Sequence, residues 1–318
     1  MKAHFSTAAS KDAQYVIVAA TTKAASTSLY VYLSEHPEVT AIIQKEVGYW
    51  LDEDYPSKMG FRHTADEDYT SCFPEDPKEK VWLDVTPDYL YSAGTPARLK
   101  ENLSNLKIYF SLREPIDRII SKYRYLIQTR RLSSDIALAD YIDQLFDQEM
   151  PLPYSIPQPY RTLDQSNYWP YLERYLEVFS KEEMQVVYFE HIKQYPADVM
   201  KFISNQIGID KSFYEDYPFA VVNPTRTINN NQVERGYHSI RKKLSAVTDR
   251  YPAIHEMGRR VKNRVEPVVY WLNGARKNNL PEIEKEQLQC LIAYFRPGVV
   301  KLNEQWPVPD SWRSLYKL

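Results

Sequence analysis

The chain contains 318 residues, in which 40 lysines and arginines face 42 aspartates and glutamates, for a formal net charge of −2. With 43% apolar residues it can bury a substantial core, which fits one large globular domain. Only two cysteines are present, Cys72 and Cys290, which excludes a disulfide framework. They are also too far apart in sequence to suggest a metal site. Two free thiols and a single disulfide between them are both compatible with the sequence.

The sequence gives no reason to expect a membrane-spanning or secreted protein. No apolar stretch approaches the length needed to cross a bilayer, and residues 1–11 lack the apolar core of a signal peptide. We expect a cytoplasmic protein with no nucleic-acid partner. Residues 232–277 are rich in basic side chains, which indicates either a solvated helical face or a contact surface for an anionic glycan or a membrane.

The first informative segment starts at Tyr15, where an apolar run ends in the small, hydroxyl-rich loop Thr-Thr-Lys-Ala-Ala-Ser-Thr-Ser. The pattern predicts a strand, a loop and a helix start, whose first-turn N–H groups and partial positive charge attract an anion. Residues 26–28 add hydroxyl donors, and Lys23 adds a full charge. Because Ala24 and Ala25 separate the lysine from the hydroxyls and no glycine is present, this is not a Walker loop. The segment predicts either a phosphate-binding loop or an ordinary turn with a surface lysine.

Further strands are predicted downstream, separated by helical patterns. Short apolar runs stopped by proline predict strands at 80–86 and 106–112, and another strand is predicted at 184–189. Helical patterns cover residues 116–126, 168–179 and 196–207. This alternation predicts an α/β fold with a central, mostly parallel sheet flanked by helices, whose ligand lies beyond the carboxyl ends of the strands.

Several short motifs together resemble the sulfotransferases that use 3′-phosphoadenosine 5′-phosphosulfate as donor, most closely the glycan-modifying branch. They comprise the loop at 23–28 and residues 45–50, 84–89, 112–123, 166–168, 190–192 and 222–226. The resemblance implies a nucleoside-kinase-like fold and a single sulfotransferase domain over 1–318. In it, residues 15–230 would form the core with the donor site and 231–318 a helical C-terminal part.

The resemblance also implies a donor site without a metal. In the family, the first loop cradles the 5′-phosphosulfate, and an arginine and a serine hold the 3′-phosphate. The implied donor-binding residues are Lys23, Ala24, Ala25, Ser26, Thr27, Ser28, Arg113, Ser121, Tyr168 and Arg226, with Arg235 as the alternative to Arg226.

Physical arguments support the two phosphate-binding residues of the third strand-helix segment. Arg113 directly follows a predicted strand, so its planar fork can bind a phosphate through two hydrogen bonds. Ser121 reaches the same ligand if the intervening turn is tight, and Pro115 favours such a turn. We expect Arg118 to pair with a local carboxylate, Glu114 or Asp117, rather than with a ligand.

The remaining implied roles concern catalysis and the acceptor, which is expected to be a carbohydrate or another hydroxyl or amine compound. Lys23 would stabilise the leaving group, and Glu46 would take the acceptor's proton as the general base. His63 is the alternative base, and Lys45 and Glu46 are otherwise a plain ion pair. Lys45 and Asp84 are candidate acceptor-site residues.

Three departures from the family pattern are visible. The basic, glycine-bearing loop that the family often has on the adenine side is represented here only by Arg226 or Arg235. Alanines stand at 24 and 25, where the family usually carries glycine, and they are strained if either position needs a positive φ. Asp84-Val85-Thr86 also lacks the lysine usual in glycan-type enzymes. A lipid or secondary-metabolite acceptor, a nucleotide kinase with Asp84 as a magnesium ligand, and a non-catalytic nucleotide-binding module therefore stay open.

Overall fold

The computed structural model describes residues 13–56, 68–74, 80–147, 161–219 and 283–318. The strands in these ranges are β1 Gln14–Ala20, β2 Val39–Ala41, β3 Val81–Val85, β4 Leu106–Leu112 and β5 Met184–Tyr188. The helices are α1 Ser26–Ser34, α2 Thr95–Asn102, α3 Pro115–Gln128, α4 Leu138–Phe146, α5 Trp169–Leu176, α6 Phe189–Gln194, α7 Pro196–Ile207, α8 Lys285–Gln305 and α9 Asp310–Tyr316.

The strands of the described ranges form one five-stranded sheet in the order β2-β3-β1-β4-β5. Every neighbouring pair is parallel. Val18 of β1 is in register with Val85 of β3, and Ala20 of β1 with Ser111 of β4. The carboxyl ends of the three central strands therefore meet at one edge of the sheet, where the loops after β1, β3 and β4 lie side by side.

The core lies on both faces of the sheet. On one face, Val16 and Val18 belong to a buried cluster with Leu29 of α1 and Ile203 of α7. On the other face, the ring of Phe110 in β4 contacts Tyr175 of α5, with ring centroids 4.8 Å apart. Helices thus cover both sides of a parallel sheet, which explains why β1 is apolar along nearly its whole length.

The predicted α/β class with a parallel sheet is confirmed, and so are the strands ending near residues 20, 85, 112 and 188. The sequence reading missed β2, whose three residues are too few to produce a recognisable alternation. The helix predicted over 168–179 is shorter, Trp169–Leu176. Cys72 and Cys290 are both free thiols, the first buried and the second exposed. Of the described helices, none combines the length and apolarity needed to span a membrane.

The chain divides into two compact units. The described residues of the first unit are 13–56, 68–74, 80–123, 135–147, 161–219 and 283–318, and those of the second are 124–134. The first unit contains the sheet and every described site residue discussed below. The single-domain extent and its division at residue 230 stay predictions.

The loop between β1 and α1 adopts an unusual backbone conformation. Ala25 has φ 65°, in the left-handed region, and Lys23 has φ 75°. A side chain in this region clashes with the backbone at a cost of about 1–2 kcal/mol, which glycine avoids. The strain anticipated for the alanine pair thus falls on Ala25, while Ala24 is not among the positive-φ residues of the described chain.

This strain predicts opposite effects for two neighbouring substitutions. Ala25→Gly should raise the free energy of unfolding by about 0.5–1 kcal/mol, because glycine occupies the left-handed conformation without a clash. Ala24→Gly should lower it by about 1 kcal/mol, because Ala24 is fully buried and gains only backbone freedom in the unfolded state. Chemical denaturation of both variants measures the difference. Equal destabilisation by the two changes would contradict the strain argument.

Candidate functional site

Three predicted site residues lie in a row at the carboxyl edge of the sheet. Arg113 directly follows β4 and Lys23 lies in the loop after β1. The backbone N–H of Glu46 donates to the carbonyl of Val85, the last residue of β3, at 3.1 Å. Because β4, β1 and β3 are adjacent in that order, these side chains follow the same order along the edge. Ligands of open parallel sheets bind at this edge.

Positive charge is concentrated at the β4 end of this row. Arg113 Nη1 donates to the carbonyl of Lys23 at 3.4 Å, and its guanidinium lies 4.4 Å from the ring centre of Phe189. Burial and the neighbouring Arg113 charge lower the pKa of Lys23. Among the described residues, the buried Nε of Arg113 has no hydrogen-bond acceptor. Two cations close enough to repel each other, one with an unused donor, favour a bound anion between them.

The start of α1 is open to an anion, whereas the start of α3 is not. No side chain caps α1, whose first turn consists of Ser26, Thr27 and Ser28, so its N–H groups can donate to a ligand. At the start of α3, the carboxylate of Glu114 accepts from the N–H groups of Ile116 at 3.0 Å and Asp117 at 2.6 Å. The fold thus leaves the helix end beside Lys23 available for phosphate.

The expectation that Arg118 pairs with Glu114 or Asp117 is wrong. Arg118 has no exposed surface, and its guanidinium donates to Thr162 O at 3.0 Å and to Ser166 Oγ at 2.6 Å. Longer contacts, at 3.3 and 3.4 Å, reach the hydroxyls of Thr22 and Tyr91. Arg118 points inward because its face of α3 is buried, while the Glu114 carboxylate is already engaged in capping that helix.

Lys122 is a site-proximal cation that the sequence reading missed. It is fully buried, and its ammonium lies 3.4 Å from Thr22 Oγ1, one residue before Lys23. Lys122 follows Arg118 by four positions and Ser121 follows it by three, so the three share one face of α3. This helical spacing was the sequence signal by which Lys122 could have been identified. Ser121 is buried on the same face, eight residues after Arg113, and its contact with the donor stays a prediction.

Tyr168 contacts Arg113 through the backbone. Its hydroxyl donates to the carbonyl of Arg113 at 2.7 Å, and its ring is almost wholly buried. Burial raises the pKa of the Tyr168 hydroxyl well above its usual value, so it remains a neutral donor. Tyr168 therefore fixes the turn that carries Arg113, and a direct contact of Tyr168 with the donor stays a prediction.

Lys45 and Glu46 form an ion pair, with Lys45 Nζ 2.5 Å from Glu46 Oε1. The Glu46 side chain is 41% exposed, so its carboxylate is accessible to an acceptor. Glu46 also has a positive φ, 68°. Strained non-glycine residues cluster at functional sites. Of the five non-glycine residues with a positive φ in the described chain, Lys23, Ala25 and Glu46 belong to the predicted site, whereas Arg130 and Lys317 do not.

Asp84 lies in a closed cage behind this loop. It has no exposed surface, and its carboxylate accepts from the hydroxyls of Thr86, Tyr89 and Tyr69 at 2.7, 2.9 and 3.1 Å. Burial raises the pKa of Asp84 to about 6, although these hydroxyls and Lys45 oppose the rise. The cage secures β3 against the segment bearing Glu46, because Trp50 N–H contacts the Tyr89 hydroxyl at 3.3 Å. A contact of Asp84 or Lys45 with the acceptor stays a prediction.

The remaining predicted residues fall outside the described ranges. These are Arg226, its alternative Arg235, the rival base His63 and the basic segment 232–277. Within the ranges that are described, no group of three or more His, Cys, Asp or Glu side chains is arranged to hold a metal ion.

Comparison with known proteins agrees with the sequence reading. Residues 92–244, which include Arg113, Ser121 and Tyr168, match the model of the sulfotransferase domain. The chain is 29% identical to the membrane-associated sulfotransferase kil1 of Dictyostelium discoideum over 42% of this chain and 27% of that protein. It is 24% identical to heparan sulfate glucosamine 3-O-sulfotransferase 3B1 of Mus musculus over 66% of this chain and 51% of that protein. The chain thus spans about half, or less, of the length of these relatives.

The fold is also shared with a solved structure. A sulfotransferase from Alicyclobacillus acidocaldarius superposes with a TM-score of 0.64 at 20% sequence identity, covering 95% of this chain and 98% of that chain. This likeness is one of fold. The chain is thus similar to sulfotransferases in sequence over residues 92–244 and in fold over most of its length.

Proposed function

We propose that this protein transfers the sulfuryl group of 3′-phosphoadenosine 5′-phosphosulfate to a hydroxyl or amine of a carbohydrate acceptor. The row of Arg113, Lys23 and Glu46 along three adjacent strand ends is the observation that carries the proposal. It puts donor-binding cations at one end and an accessible carboxylate at the other. An in-line displacement needs this separation of leaving group and nucleophile.

The donor would be held at the β4 and β1 ends of the row. Arg113 and Ser121 would bind the 3′-phosphate, and Lys23 with the first turn of α1 would bind the 5′-phosphosulfate. Residues 24–28 supply the N–H groups and hydroxyls of that turn. The lowered pKa of Lys23 supports this assignment, because a bound anion relieves the repulsion from Arg113. Arg226 would bind the donor near its adenine and 3′-phosphate.

The chemical step would be completed at the β3 end. The acceptor oxygen or nitrogen attacks sulfur, its bond to sulfur forms as the sulfur–oxygen bond of the donor breaks, and the acceptor's proton passes to Glu46. The negative charge that develops on the leaving phosphate oxygen is stabilised by Lys23. Lys45 would hold the Glu46 carboxylate in place until the acceptor binds.

The carbohydrate assignment rests on the Lys45-Glu46 pair and on the curated relatives named for heparan sulfate. The lipid or secondary-metabolite acceptor is the alternative, since the lysine usual at position 85 is replaced by valine. The kil1 relative is named as membrane-associated, so a cytoplasmic location and a peripheral membrane contact through residues 232–277 both stay predictions.

The kinase alternative receives little support. It needs Asp84 as a magnesium ligand, yet three hydroxyls already donate to this fully buried carboxylate. A metal ion would have to displace them and open the cage. The proposed reaction needs no metal, because lysine, arginine and the α1 N-terminus supply the positive charge.

The donor site can be tested without knowing the acceptor. We expect 3′-phosphoadenosine 5′-phosphate to bind equally well with magnesium and with a chelator, as measured by isothermal titration calorimetry. Arg113→Ala should weaken this binding by about 10- to 100-fold, because a charge-assisted hydrogen-bond pair is lost.

Arg174→Ala is the control for removing one positive charge, since Arg174 lies exposed on α5 against the ring of Tyr171. It should change the dissociation constant less than twofold. Binding that requires magnesium, or equal weakening by both substitutions, would contradict the proposed donor site.

The general base can be tested by comparing the two candidate residues. Glu46→Gln should lower the rate of sulfuryl transfer to a responsive acceptor by at least about 100-fold, because the proton acceptor is lost. The dissociation constant of 3′-phosphoadenosine 5′-phosphate should change less than twofold. The measurement is transfer of labelled sulfate to a panel of glucosamine-containing oligosaccharides, lipids and phenols.

His63→Ala is the matched control in the same assay, and it should retain most of the activity. The opposite pattern, with His63→Ala inactive and Glu46→Gln active, would transfer the role of base to His63. The acceptor that responds in the panel also decides between the carbohydrate and lipid assignments.

A further inference from the structure

The last helix of the chain packs against the start of α3, almost 200 residues earlier. Tyr316, in the final turn of α9, is fully buried, and its hydroxyl donates to Glu114 Oε1 at 2.5 Å. Its own carbonyl accepts from Arg296 Nε of α8 at 3.0 Å, which fixes the end of α9. Trp312 of α9 packs against Tyr188, the residue before α6, with ring centroids 5.2 Å apart.

Glu114 links the Tyr316 contact to the proposed donor site, because it is the immediate neighbour of Arg113. Its carboxylate accepts from two N–H groups at the start of α3 and from the Tyr316 hydroxyl. Its backbone N–H donates to Glu190 Oε1 of α6 at 3.0 Å. Glu114 therefore fixes the turn between Arg113, its immediate neighbour, and the helix that carries Ser121.

We propose that Tyr316 is a positioning residue for the 3′-phosphate end of the donor site, acting through the Glu114 carboxylate on the turn that presents Arg113. The proposal rests on the proposed function above. Without the hydroxyl, Glu114 retains its two backbone donors but loses the fixed partner that holds the carboxylate from the C-terminal side. The Arg113 turn then gains freedom, and phosphate binding has to restrict it again.

The charges around Glu114 make the Tyr316 contact more important. Burial raises the pKa of Glu114 to about 7, and the hydroxyl of Tyr316 and the two N–H groups oppose this rise. Asp117 on α3 and Glu190 on α6 are negative charges near the Glu114 carboxylate, and Arg113 is the adjacent cation. The hydroxyl of Tyr168, from the segment before α5, also faces Glu114. Loss of the Tyr316 donor would disfavour the carboxylate form further.

The test compares Tyr316→Phe with Tyr175→Phe in the full chain. Tyr175 is an equally buried tyrosine whose hydroxyl donates to the carbonyl of Tyr89 at 2.7 Å, away from Glu114. Calorimetry with 3′-phosphoadenosine 5′-phosphate should give about tenfold weaker binding for Tyr316→Phe and less than twofold change for Tyr175→Phe. Thermal unfolding shows whether the two variants lose similar stability.

A second comparison separates positioning from a general loss of stability. In an Arg113→Ala background, Tyr316→Phe should change the dissociation constant less than twofold, because the residue it positions is gone. If Tyr316→Phe does not fold, Glu114→Gln replaces it with the same two expectations.

Each outcome decides the inference. Equal effects of the two tyrosine variants, or an undiminished effect in the Arg113→Ala background, would overturn the role of Tyr316 and leave the proposed function intact. Failure of the unmodified protein to bind 3′-phosphoadenosine 5′-phosphate would overturn both.

Discussion

The buried guanidinium of Arg118 forms the interactions on which the proposed donor end of the site depends. It joins the loop after β1, the turn after β3 and the segment before α5 to helix α3, through Thr22, Tyr91, Thr162 and Ser166. A buried charge costs several kcal/mol unless hydrogen bonds replace its water. Here the acceptors are one carbonyl and three hydroxyls, which solvate the charge without neutralising it. The positive potential therefore remains beneath the loop that carries Lys23.

This arrangement combines charge with backbone strain. Lys23 and Ala25 adopt left-handed conformations after β1, and Glu46 does so in the segment after β2, beside the end of β3. Each costs on the order of 1 kcal/mol, which the packing of a large parallel sheet can offset. The strain turns the loops so that Lys23 and Glu46 stand at neighbouring strand ends. Glycine at these positions would remove the strain, but it would also remove the side chains on which the proposed chemistry depends.

Much of the fold could be predicted from sequence, because its signals are local. The apolar run at 15–20 and the proline-stopped run at 106–112 identify strands by composition alone. Arg113 could be selected because a strand end positions it directly. Contacts between segments distant in sequence could not be predicted. The sequence offered Arg118 a nearby carboxylate as a partner, and only the structure shows that its guanidinium points inward to Thr162 and Ser166 instead. The contact between Tyr316 and Glu114 has no sequence signal, because 202 positions separate the two residues.

The central claim is that the row of cations at the β4 and β1 strand ends binds the two phosphate-bearing ends of an adenosine nucleotide. The most direct measurement is a crystal structure of the protein with 3′-phosphoadenosine 5′-phosphate. The account predicts the 3′-phosphate within hydrogen-bond distance of Arg113 and Ser121, and the 5′-phosphate at Lys23 and the first turn of α1. A nucleotide bound elsewhere, or one whose 3′-phosphate avoids Arg113, would contradict it.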